Sequence, residues 1–170
     1  SPRAISYIEP RAKTRAEQRI AIPKAAERNA FLVSGARELF LVSPNGSLLR
    51  ALIAKPSAVF MPLSLAKAYR SVEWRAGTVL NASLFLLAND SRLLQIKNGA
   101  VALDTALQLA EPLGNNVRLR GLDAAKRLAV LDGEHRRIIM LGLRGGIIWQ
   151  YRHELFTDLR DIVETENGEL

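Results

Sequence analysis

Residues 128–148, LAVLDGEHRRIIMLGLRGGII, read as strand, polar turn, strand, glycine turn, strand. The apolar runs are four to five residues long and end at turn residues. No window of the chain carries an i, i+3, i+4, i+7 apolar stripe beyond about two turns, so the period belongs to strands rather than helices. The same layout recurs at 31–49 (FLVSGARELFLVSPNGSLL) and at 84–103 (LFLLANDSRLLQIKNGAVAL). Self-similarity at a spacing of about 40 to 50 residues marks a repeat array, and it constrains the fold more than any other feature of the chain.

The repeats align on their glycine turns, Asn45-Gly46, Asn98-Gly99 and Gly145-Gly146. Asn-Gly and Gly-Gly between apolar runs favour tight hairpins, because type I′ turns need positive φ at both central residues. An apolar strand precedes each turn, at 39–42, 93–96 and 138–141, and another lies before it, at 30–33, 83–87 and 128–131. A first strand is placed at 18–22, 71–74 and 117–123. Four short strands per repeat describe the blade of a β-propeller. The expected fold is therefore all-β: a propeller-like array of about three four-stranded antiparallel blades, at 18–54, 71–110 and 117–153. The turn glycines lie 53 and then 46 residues apart, which assigns 55–70 to an insertion between blades. Residues 1–17 read as a linker or a closing strand, and 159–170 as the start of another repeat. Three blades and a fraction do not close a ring, so an incomplete propeller is expected, with self-association through open sheet edges.

Within this pattern, Val130, Asp132, Arg137, Ile138, Met140 and Gly145 fall on the spacing V-x-D-x-x-x-x-R-I-x-V-x-x-x-x-G. That stretch resembles an NHL repeat. Residues 39–49 match its second half, with Glu38 in the arginine position, and 92–101 keep the arginine as Arg92 but are one residue short at the turn. The resemblance implies a propeller blade and a protein that binds other proteins, RNA or polymers. It carries over no functional residue, because the shared positions are architectural. It also implies a cross-turn ion pair between Asp132 and Arg137. As an exposed or half-exposed pair this would contribute roughly 0 to 1 kcal/mol, with His135 solvated beside it.

Charge is the main functional hint. The chain carries 24 Lys and Arg against 17 Asp and Glu, a formal net charge of +7. Eight basic residues fall in 116–153, and 154–170 is acidic. Arg118, Arg120, Arg136 and Arg144, at turns or alternating with apolar neighbours, are the candidate contacts to a partner or polyanion. Tyr69 and Trp74, beside Arg70 and Arg75, are the candidates for stacking on bases. An ordinary arginine-rich solvated surface explains the same residues without any ligand.

Signals for catalysis are poor. The two histidines, His135 and His153, fall in no H-E-x-x-H arrangement, and the chain has no cysteine. Disulfides, thiol catalysis and Cys-ligated zinc are thereby excluded for this stretch. Ser64-Leu65-Ala66-Lys67 fits S-x-x-K but lacks the elements that accompany it in serine acyl-enzymes. No phosphate-binding glycine loop and no run of about 20 apolar residues is present. The Asn-x-Ser sequons at Asn45, Asn81 and Asn89 coincide with turns or strand ends, where Asn is expected anyway. The expected function is a non-catalytic interaction module without a cofactor, binding a protein through blade loops or through 55–70. The alternatives are a polyanion or nucleic-acid binder acting through 116–153, and part of a propeller hydrolase or lyase whose catalytic groups lie outside this stretch.

Overall fold

The computed structural model describes residues 4–8, 17–23, 30–43, 46–53, 58–156, 158–163 and 165. A short hairpin comes first, β1 (Ala4–Ile8) with β2 (Glu17–Ala21). Three four-stranded antiparallel meanders follow. The first is β3 (Phe31–Ser34), β4 (Glu38–Val42), β5 (Leu48–Leu52) and β6 (Met61–Pro62). The second is β7 (Trp74–Leu80), β8 (Ser83–Ala88), β9 (Arg92–Lys97) and β10 (Ala100–Ala106). The third is β11 (Val117–Leu122), β12 (Arg127–Asp132), β13 (Arg137–Gly142) and β14 (Ile147–Arg152). A single 3-10 turn, Lys67–Tyr69, is the only helical element among the described residues. No helix there is long and apolar enough to cross a membrane.

The blades stack face to face. Along β8 successive side chains alternate between two cores, which is why SLFLLA is apolar from Leu84 to Ala88 and buried at every position. Leu84 and Leu86 meet Val33, Phe40 and Val42 of the first blade. Phe85 and Leu87 meet Leu119, Leu128 and Val130 of the third. Each such leucine removed from water contributes roughly 1.5–3 kcal/mol. Glycines permit the closest approaches: a Cβ on Gly77 would stand 2.9 Å from Val33 Cγ2, and one on Gly121 would stand 3.0 Å from Leu80 Cβ.

The strand pairings correct the alignment of the first repeat. Phe31, Trp74 and Val117 open the three sheets, so consecutive blades begin 43 residues apart. The first blade runs from 31 to 62 rather than from 18 to 54. Its fourth strand and the 3-10 turn occupy the stretch assigned to an insertion, whose described part, 58–70, is an outer strand and a blade connection. The Gly46 turn joins second and third strands, whereas the Gly99 and Gly145 turns join third and fourth. The sequence misleads here because two non-equivalent turns share one chemistry. Ser43 N–H donates to Ser47 O and Gly46 N–H to Ser43 O, as Gly142 N–H donates to Gly146 O and Gly145 N–H to Gly142 O.

Residues 18–22 are not the first strand of the blade that follows. The strand there, Glu17–Ala21, pairs instead with Ala4–Ile8, in the register Ser6↔Arg19 and Tyr7↔Gln18. Adding 43 to each number gives Leu49↔Pro62 and Arg50↔Met61, the observed pairing of β5 with β6. The β1–β2 hairpin thus repeats the outer half of a blade, one period earlier. Its Ile20 packs on Leu39, Leu41, Ala51, Ile53 and Phe60, covering the outer face of the first blade. At the other end Ile162 and Trp149 cover Leu122, Ala129 and Met140. Residues 158–163 form no strand, yet Asp161 reaches Arg120 of β11 at 2.6 Å.

Candidate interaction surface

In a meander the first-to-second and third-to-fourth turns lie at one end, and the second-to-third turn lies at the other. The three blades share this polarity. At one end a Cβ on Gly35, in the β3–β4 turn, would stand 3.0 Å from Val79 Cγ1, just before the β7–β8 turn. Gly35, Ala36 and Arg37, Asn81 and Ala82, and Asp123 line one open concavity of about 580 Å3, so all three blades contribute their first turn to it. A narrower cleft of about 100 Å3 between the first two blades shares Val79 and Ala82 and reaches Asn98 and Gly99.

The β7–β8 turn is a two-residue loop with φ of 50° at Asn81 and 54° at Ala82. Both lie in the left-handed region, which defines a type I′ turn. Asn tolerates that region, but Ala pays roughly 1–2 kcal/mol there. Asn98 and Gly99, at φ 52° and 80°, make the I′ turn expected of Asn-Gly. Around this end stand the exposed side chains of Arg37, Lys97, Lys126, Arg127 and Arg144. None of the five makes a salt bridge among the described residues; Asp123 is the exposed acid between them.

The opposite end is electrically different, because its charges are largely consumed in pairs. Asp132 is fully buried and Arg137 is 1% exposed, and Arg137 Nε donates to Asp132 Oδ2 at 2.9 Å. The expectation of an exposed, weak pair is corrected. His135 is not simply solvated either: its Nδ1 lies 2.9 Å from Asp132 Oδ2, and its backbone N–H donates to Oδ1 at 3.3 Å. The Gly114 N–H, at 3.3 Å, completes the set of donors. Burial pushes the Asp132 carboxyl pKa up, but the hydrogen bonds from His135, Arg137 and the two backbone N–H groups outweigh it and hold the group below its ordinary value. Arg137 Nη2 donates to the carbonyls of Glu111 and Pro112, at 3.0 and 2.6 Å. This fastens the connection between the second and third blades. Arg152 binds Glu111, and that hydrogen bond is the main reason the Glu111 pKa is lowered. Tyr69 donates to Asp104 at 2.9 Å, which raises its own pKa, and Arg92 bridges Asp90 and Asp104.

The six residues singled out from the sequence do not form one site. Arg118 and Arg120 lie on β11, Arg120 paired with Asp161. Arg136 sits at the paired end, its Nη1 donating to the Glu154 carbonyl at 3.4 Å. Arg144 alone lies at the unpaired end. Trp74 is 2% exposed inside the core between the first two blades, so it offers no face to a base. Tyr69 is at the opposite end from Arg144, held by Asp104. Arg37 and Lys97 stand outside the sequence candidates, and Lys126 and Arg127 fall within the basic 116–153 stretch without being singled out from it. Each adjoins a turn on the same side of its meander, a signal that becomes readable only with the correct strand order. No group of three or more Asp, Glu or His among the described residues is arranged to hold a metal.

No family model matches the chain, and no curated protein matches it by sequence. Solved structures do. The streptogramin B lyase structure aligns over 91% of this chain and 49% of its own, with 8% identity and a TM-score of 0.63. BamB from Moraxella catarrhalis aligns over 81% and 40%, with 13% identity and a TM-score of 0.56. The Cps50 (Swd1) β-propeller domain of Myceliophteria thermophila aligns over 71% and 43%, with 13% identity and a TM-score of 0.51. The chain spans less than half the length of these structures. With three four-stranded antiparallel blades stacked about buried leucine cores, its fold is that of part of a β-propeller.

Proposed function

We propose that this chain is a non-catalytic interaction module that binds a protein partner across the end where the turns at 35–37, 81–82 and 123 meet. The observation that carries this reading is the shared concavity, to which every blade contributes a turn. Ala82, one of its lining residues, is left-handed without being glycine. A strained non-glycine turn persists where its surroundings over-determine it, and such positions cluster at binding sites. Propellers act as platforms whose ligand is set by their turns rather than by their blades. The polyanion reading built on 116–153 has less support, because Arg120 and Arg136 are engaged away from the end that Arg144 occupies and Trp74 is buried.

The test is to select peptides against the chain from a random display library and to map each by amide chemical-shift changes. The reading expects the shifts at 34–38, 79–82 and 123–126. Peptides that map to 132–137 or to the outer edge of β14 would refute it.

A further inference from the structure

Resting on that reading, we infer that the partner docks through an acidic stretch of extended polypeptide. The basic groups at this end are distributed over the whole array. Arg37 belongs to the first blade, Lys97 to the second, and Lys126, Arg127 and Arg144 to the third. A compact anion would reach one or two of them; an elongated one reaches all three blades. None is neutralised by a salt bridge among the described residues, in contrast to Arg92, Arg137 and Arg152 at the other end. Five unpaired cations against the exposed Asp123 make this face locally basic, and such a face steers an acidic ligand.

Two features favour a polypeptide over a nucleic acid. Single-stranded nucleic acids are held by stacking on exposed aromatic rings. The described aromatics are buried, as Phe40, Phe85 and Trp74 are, or lie elsewhere, as Tyr69 does at the opposite end and Tyr151 in the ring cluster with His153 and Phe156. The concavity itself is lined by one of these cations, Arg37, together with Glu38, Asp123 and the Asn81 side chain. Its carboxylates accept hydrogen bonds from peptide N–H groups, donors that a phosphodiester backbone does not carry. The Asn81 amide both donates to and accepts from a peptide unit.

The experiment titrates fluorescein-labelled octaglutamate, and separately single- and double-stranded DNA of matched charge, by anisotropy at 50 and 200 mM salt. Two double variants remove the same charge from opposite ends: Arg37→Ala with Lys126→Ala, and Lys67→Ala with Arg70→Ala. The inference expects octaglutamate to bind, to weaken about tenfold in the first variant, and to change less than twofold in the second. Equal losses in both variants would overturn it, since the charge would then act diffusely. Tighter binding of DNA that depends on Arg37 and Lys126 would overturn it in favour of a nucleic-acid surface. Absence of octaglutamate binding at 50 mM would also overturn it. Display-selected peptides that still shift 34–38 and 79–82 would then show that the protein-binding reading survives without the acidic partner.

Discussion

Replacing Asp132 should destabilise the chain more than replacing any exposed carboxylate. The carboxylate is fully buried and takes hydrogen bonds from Arg137 Nε, His135 Nδ1 and the backbone N–H groups of Gly114 and His135. Removing it leaves a guanidinium that is 1% exposed without its buried counter-ion, and with only the longer contact of 3.4 Å to the half-exposed Glu111. Breaking a buried pair from one side costs roughly 3–5 kcal/mol. Two carbonyl acceptors still hold Arg137 Nη2, so Asp132→Ala should fall near the lower end of that range. Asp132→Asn keeps the shape and loses the charge, and should cost about 1.5–3 kcal/mol, the scale of one charged hydrogen bond. For a chain of this size, a loss of about 3 kcal/mol lowers Tm by about 6–12 °C. The assay is urea and thermal unfolding followed by circular dichroism. Asp161→Ala is the reference, because its ion pair with Arg120 is exposed. The pair also predicts a pH dependence. The folded-state pKa of Asp132 is depressed, so its contribution is complete above the unfolded value of about 3.9 and disappears as pH falls through the folded value. The stability gap between the native chain and Asp132→Asn should therefore be flat from about pH 5 upward and close in acid. A gap of about 0.5 kcal/mol or less at pH 7, or one that widens in acid, would refute the reasoning.

Other substitutions test the backbone. Ala82→Gly should raise stability by up to about 1 kcal/mol, because glycine relieves the left-handed strain at φ 54° and gives back part of that gain as chain entropy; a lower thermal midpoint would contradict this. Gly46→Ala and Gly99→Ala both put a Cβ at positive φ, but only at Gly46 does it meet backbone, 2.6 Å from the Arg70 and Tyr69 carbonyl oxygens. Gly99→Ala should cost about 1–2 kcal/mol and Gly46→Ala clearly more in the same melts. The Trp74 Nε1 is buried without a hydrogen-bond partner, so Trp74→Phe should cost less than the roughly 3–5 kcal/mol expected of Trp74→Ala.

Much of the fold was legible because each blade buries both faces of its central strands. That forces short, wholly apolar runs such as 84–88 and 128–131, and turns between them. The register of the first blade was not legible, because Ser43–Ser47 and Gly142–Gly146 close the same hydrogen-bonded turn at different places in the meander. One misassigned turn displaced the first strand to 18–22 and created an apparent insertion at 55–70. The interaction surface was hidden for the same reason. Arg37 looks like any loop arginine until β3 is seen to be an inner strand whose turn adjoins Val79. The sequence marked the Asp132–Arg137 spacing but not its burial, which depends on Gly114, Glu111 and Pro112 closing over it from 18 to 26 residues away.

The 43-residue period is the claim on which the surface depends, and backbone nuclear Overhauser effects test it directly. The account predicts cross-strand contacts between Ser6 and Arg19 and between Tyr7 and Gln18, together with contacts from Gly35 to Val79 and from Gly121 to Leu80. Cross-strand contacts between 18–22 and 30–33, without those from Gly35 to Val79, would restore the alignment on glycine turns and separate the three turns that form the proposed site.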